Sequence, residues 1–99
     1  MMELIFHPRV QSDLLEILQY YDQRSEVAGD RLFAEFEKAI AEIKERPLKF
    51  HRLDEIHRRC NLKRFPYHLV FEVVGDEIRV TVLRHHQRHP TFGLHRKWQ

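Results

Sequence analysis

The spacing of apolar residues changes once along this 99-residue chain, at Leu48, and that change limits the folds open to it. Ahead of it, Val10, Leu14, Leu18 and Tyr21 recur at steps of three and four, and Leu32, Phe33, Phe36, Ile40 and Ile43 form a second stripe of the same kind. A period near 3.6 buries one side of a helix, so two amphipathic helices are predicted. Beyond Leu48 the period falls to two. Cys60 and Leu62 alternate with Arg59, Asn61 and Lys63; Leu69, Phe71 and Val73 with His68, Val70 and Glu72; Ile78, Val80 and Val82 with Arg79, Thr81 and Leu83. These read as three strands, the last two joined by the tight turn "GDE". A further short apolar run, "ELIFH", precedes Pro8 and reads as an N-terminal strand.

Local signals place the ends. Pro8 suits a first helical turn, where its missing N–H is no loss. Gly29 reads as a stop for the first helix and Asp30 as a cap for the second, which makes "RSEVAGDR" the hairpin loop. Pro47 ends the second helix. The order β, α, α, β, β, β gives an α+β fold of two layers: an N-terminal strand, an antiparallel two-helix hairpin, and a three-stranded antiparallel meander packed under the helices. At this length, residues 1–99 form a single domain with one core.

Composition narrows the class. Three Gly, four Pro and 42% hydrophobic residues argue against a disordered chain. The single cysteine, Cys60, cannot close an internal disulfide and is expected to pack as a small hydrophobe in a reducing compartment. No apolar run is long enough to span a membrane, and "MMELIFHPRV" lacks the regions of a signal peptide, so the reading is cytoplasmic. Charge is divided unevenly. Residues 1–50 hold seven Lys/Arg against ten Asp/Glu, whereas residues 51–99 hold ten against five and seven of the eight histidines. The second half is therefore where an anionic partner is expected.

That charge culminates in "RHHQRH", Arg84 to His89, at the end of the last strand. A metal site, an anion-binding or catalytic surface, and the rim of a protein interface all compete for it. Zinc requires three or four converging ligands with support behind them. His85 and His86 point to opposite sides of a strand, no carboxylate follows Glu77, and Cys60 has no neighbouring cysteine, so no metal and no cofactor are expected.

The element order, together with "RRCNLKRFPYHLVFEVVGDEIRVTVLRHHQRHP", resembles the ParE/RelE superfamily of small bacterial toxins. The resemblance implies a growth-inhibiting toxin of a type II toxin–antitoxin system, neutralised by a small antitoxin bound directly to it. Operator DNA would be met only through that antitoxin. RelE-like members cut mRNA in the ribosome without a metal, using Lys and Arg to stabilise charge on the phosphorane and a titratable group to move the proton. By the same resemblance, Arg59, Lys63, His68, His86 and Arg88 are the candidate catalytic set. The chain departs from that pattern: Asn61 stands where a cation would help, and no tyrosine follows Tyr67. The departures favour the ParE-like branch, which inhibits DNA gyrase by binding alone. Arg84, His86, Arg88, His89 and Trp98 are then the expected target contacts, the cluster from Arg84 to His89 being mostly exposed. The ribosome-dependent endoribonuclease is the alternative, and a non-toxic antitoxin partner that co-regulates its operon is a third reading.

Overall fold

The computed structural model describes residues 2–98. β1 spans Glu3–Phe6, α1 Pro8–Asp22, α2 Glu26–Glu45, β2 His57–Asn61, β3 Tyr67–Val74 and β4 Glu77–His85. The sheet order is β1-β4-β3-β2, with β2, β3 and β4 an antiparallel meander. β1 joins the far side of β4 in parallel, Glu3 opposite Glu77 and Phe6 opposite Val80, so the complete sheet is mixed.

α1 starts where the sequence places it. Pro8 occupies the first turn and the ring of His7 accepts the N–H of Arg9 at 3.1 Å. α2 begins earlier than expected, at Glu26, capped by Ser25 Oγ on the N–H of Ala28. Gly29 therefore lies inside α2 rather than ending α1, and the loop shrinks to residues 23–25. The reason is packing: a Cβ at position 29 would overlap the Asp22 carboxylate, so glycine here permits close approach of the two helices. Leu32, Phe36, Ala39 and Ile43 line the buried side of α2. Phe33, one residue and about 100° past Leu32, is 40% exposed instead of buried and lies against Phe36.

The strands meet the helices through Leu69, Phe71, Ile78, Val80 and Leu83, all in one core with Leu32 and Ile43. Here the simple alternation fails at one point. Phe71 pairs with Val80 but Val70 pairs with Val82, so Thr81 is an extra residue in β4. This bulge reverses the faces beyond it. Leu83, not Val82, reaches the helical core, while Val70 and Val82 are fully buried on the opposite face.

That opposite face is covered by the C-terminal tail, of which the sequence reading singled out only Trp98, as a target contact. Gly93 has φ +79° and approaches so closely that a Cβ would sit 2.6 Å from Cγ2 of Val82. Further on, Arg96 forms a bidentate pair with Asp13 of α1 at 2.7 and 2.8 Å. Arg96 also donates to the Thr81 carbonyl, and Asp13 accepts the N–H of Leu83. The stretch of β4 beyond the end of β1 thus has its edge groups satisfied by this pair.

Candidate functional site

The bulge decides what Arg84 does. With the faces reversed, Arg84 stands opposite His68 under the tail, and it is only 5% exposed. Exposure was the expectation, and the structure corrects it. Chain turning back over the sheet has carbonyls with no strand to bond, and a guanidinium supplies five donors in a fork. Nη1 of Arg84 donates to the carbonyls of Pro90 at 2.8 Å and Phe92 at 2.9 Å, and more weakly to His89. Its Nε donates to Nε2 of His68 at 2.8 Å.

From that bond a run of proton positions follows. Nε of arginine always donates, so Nε2 of His68 accepts and the neutral ring carries its hydrogen on Nδ1. Nδ1 of His68 lies 2.9 Å from Nδ1 of His86, while the ring centroids are 5.2 Å apart and the planes differ by 17°. Nitrogens so much closer than centroids mean that the rings meet edge to edge, in an N–H···N bond, and are not stacked face to face. His86 accepts at Nδ1, where Nη2 of Arg59 also reaches it at 3.1 Å. Its own hydrogen is left on Nε2, pointing away from the array. Arg59 is steadied by Asn61, whose Oδ1 accepts from Nε at 2.7 Å. Asn61, where a cation was looked for, orients one instead.

Electrostatics agree with this assignment. Burial, then the charges of Arg59 and Arg84, push the pKa of His68 down to about 3. Burial and Arg59 lower that of His86. Burial and the nearby Arg59 lower even Arg84. The two imidazoles are therefore neutral hydrogen-bonding groups at pH 7, set between two guanidinium ions. Among the described residues neither Arg59 nor Arg84 pairs with a carboxylate.

The remaining candidates lie elsewhere. Lys63 borders a small recess between α2 and β2 with Glu35, Glu42, Cys60 and Asn61. Arg88 is exposed, its guanidinium 4.4 Å from the Phe92 ring centroid. It borders a groove of about 410 Å³ shared with Tyr20, Tyr67, His85 and Glu16. His89 is exposed and closes a turn through Thr91. Trp98 meets His7 edge to face, with Arg79 over its ring. Arg79 and His85 are six residues apart on β4, about 20 Å, so Trp98 sits at the opposite end of the strand from the histidines. His85 turns to Tyr67 and His86 to His68, and among the described residues no three metal-ligating side chains converge. Cys60 is buried in the core, and burial followed by the Glu42 charge pushes its thiol up to about 11.

Of the set expected from the resemblance, Arg59, Lys63, His68, His86 and Arg88, hydrogen bonds join Arg59, His68 and His86, while Asp13 and Arg96 had no place in the sequence reading. No local pattern links those two. Only the path of the tail does.

A family model described as the ParE toxin of the type II toxin–antitoxin system, parDE, matches residues 4–90. Among solved structures, a chain described as from the chromosomal ParDE TA system of P. aeruginosa superposes with a TM-score of 0.66. The two are 21% identical, and the match covers 86% of this chain and 96% of that one, a likeness of fold. No curated protein matches the sequence.

Proposed function

Because this chain belongs to the ParE toxin family of type II toxin–antitoxin systems, we propose that it arrests bacterial growth by binding DNA gyrase, without chemistry of its own, until an antitoxin covers it. The observation that carries this reading is that the would-be nuclease residues do not form one hydrogen-bonded set. Arg59, His68 and His86 share one array, Lys63 borders a recess between α2 and β2, and Arg88 rests on Phe92 in a groove that Arg84 also lines. Phosphoryl chemistry needs its cations and its proton carrier around one reacting atom. A binding surface has no such requirement. Arg88 and His89, exposed at the end of β4, are the proposed target contacts, with His86 beside them; Arg84 is left out because it serves the tail.

The proposed antitoxin is small and acidic, encoded next to this gene, and complementary to the net positive half of the chain, since opposed charge speeds encounter and fixes register. Residues 1–99 are taken as one toxin domain. Among the described residues no helix is long and apolar enough to cross a membrane, and the proposed target lies in the cytoplasm.

The test is the order of events after expression in growing cells. DNA synthesis is expected to fail first, with messenger RNA intact and purified gyrase captured by the protein. Early RNA cleavage with replication continuing would replace this reading with the ribosome-dependent endoribonuclease.

A further inference from the structure

We propose that the furrow between α2 and the turn joining β2 to β3 docks an acidic, apolar-anchored segment of a partner protein. Val27, Arg31, Ala34 and Lys38 recur at steps of four, three and four along α2, which sets them in one stripe beside the buried one. Opposite them stand Arg64 and Phe65 of the turn, and between these walls lies an open recess of about 490 Å³. Glu35 and Lys38 also border the small recess that Lys63 lines, so the two recesses form one furrow.

Three observations carry it. The first is charge. Glu35 is already met by Lys38 at 3.2 Å and Glu42 by Lys49 at 3.3 Å. Arg31, Lys63 and Arg64 are exposed, and among the described residues none of them meets a carboxylate. The second is strain. Arg64 has φ +69°, a left-handed backbone that favours glycine or asparagine, and among the described residues it is the single non-glycine with a positive φ. Strain of this kind collects where a side chain serves binding. The third is the floor, which is apolar: Ala28, Ala34 and Phe65 line it with Val27, itself 55% exposed. Cations stand on both walls of that floor, so the matching ligand carries carboxylates along both edges of an apolar stripe. An acidic amphipathic helix has this form. A nucleic-acid backbone lacks the apolar anchors, and Glu35 and Glu42 on the helical wall oppose its phosphates. The furrow shares no lining residue with the groove beside Arg88, so the inference stands whether or not gyrase is the target.

The test uses the full ¹⁵N-labelled chain and three probes: a synthetic peptide of Leu, Ala and Glu in amphipathic helical spacing, the same peptide with Lys for Glu, and a short thymidine oligonucleotide. The acidic peptide is expected to shift the backbone amides of residues 25–38 and 63–65 saturably, and the basic peptide to leave them unmoved. Arg31→Ala and Arg64→Asn should each weaken binding about fivefold, the loss of one exposed ion pair. Ala34→Glu puts bulk and like charge on the floor and should abolish binding. Arg88→Ala removes the same unit of charge from outside the furrow and should leave affinity nearly unchanged. All four positions are exposed, so the variants are expected to fold, and melting curves verify it. Arg64→Asn should melt no lower than the parent, because asparagine tolerates the left-handed backbone. A lower melting temperature would make the Arg64 side chain a structural fastening and overturn the proposal. Unshifted furrow amides, or equal weakening by Arg88→Ala, would overturn it too. Tighter binding of the oligonucleotide at the same residues would assign the furrow to nucleic acid instead.

Discussion

Under the helices the sheet presents Leu69, Phe71, Ile78, Val80 and Leu83 to an apolar layer; under the C-terminal tail it presents Val70 and Val82 beside His68 and Arg84. Both faces bury side chains, but their cohesion differs in kind. The helical face relies on area and volume, which many side chains share, so neighbours relax partly around a loss. The tail face relies on donors and acceptors with one partner each. Arg84 alone satisfies the carbonyls of Pro90 and Phe92 together with Nε2 of His68. Directional cohesion does not relax. It is kept or lost as a unit.

The strongest test of this contrast sets one residue from each face against the other. Phe71→Ala is expected to cost about 3–5 kcal/mol, the range for a buried aromatic, with amide exchange raised evenly through the sheet. Arg84→Met is expected to cost about 3 kcal/mol, from buried carbonyls left without donors, but with exchange raised first in residues 90–96. Denaturant melts and hydrogen exchange on both variants decide the matter. Even exchange in the arginine variant would mean that the tail is held by packing after all.

Gly93 sharpens the comparison at a contact where both kinds of cohesion meet. Gly93→Ala is expected to cost about 2 kcal/mol, combining a positive φ with the overlap on Val82. Adding Val82→Ala should relieve the overlap and leave the backbone strain, so the double variant recovers only part of the loss. Full recovery would show that the conformation at 93 is cost-free.

Acid offers a graded probe of the polar face. The folded pKa of His68, held at about 3 by burial and by the neighbouring cations, lies below the unfolded value near 6.5. Between these values the unfolded chain binds the extra proton, so stability is complete above about pH 6.5 and is lost as pH falls toward 3. The slope from this residue is at most about 1.4 kcal/mol per pH unit. His68→Gln should flatten the profile in that window, and an unchanged profile would separate the imidazole from the acid response.

The smallest effect on stability is expected at the rim. Arg88→Ala with His89→Ala should leave the melting temperature nearly unchanged, because neither side chain is buried. If these residues meet the target, growth arrest should fall sharply. Arrest at full strength would move the target contact away from the end of β4.

How far the chain was legible follows the same division. The helical stripes, the meander and the place of Pro8 in the first turn of α1 depend on residues close in sequence, where periodicity and local signals report them. Gly29 misled because a helix stop and a helix–helix contact both favour a residue without a Cβ, and only the position of Asp22 separates them. Thr81 misled because threonine suits a strand, whether paired or bulged, so the reversal that buries Arg84 left no local mark. The tail has no period at all. Its order comes from single long-range bonds of Arg84 and Arg96. The site was therefore half legible: Arg59 and His68 follow from strand alternation, whereas Arg84 and His86 reach that face only through the bulge.

The parallel pairing of β1 with β4 bears on how the protein is made. Glu3 waits for Glu77, and Asp13 waits for Arg96, so the first strand and the first helix leave the ribosome long before their partners. The helical hairpin closes early, since its contacts are local, while the edge of the sheet must await β4. Until then the nascent protein carries an unpaired strand and an open core. A chain built this way acquires its finished surface only once Arg96 has emerged and met Asp13.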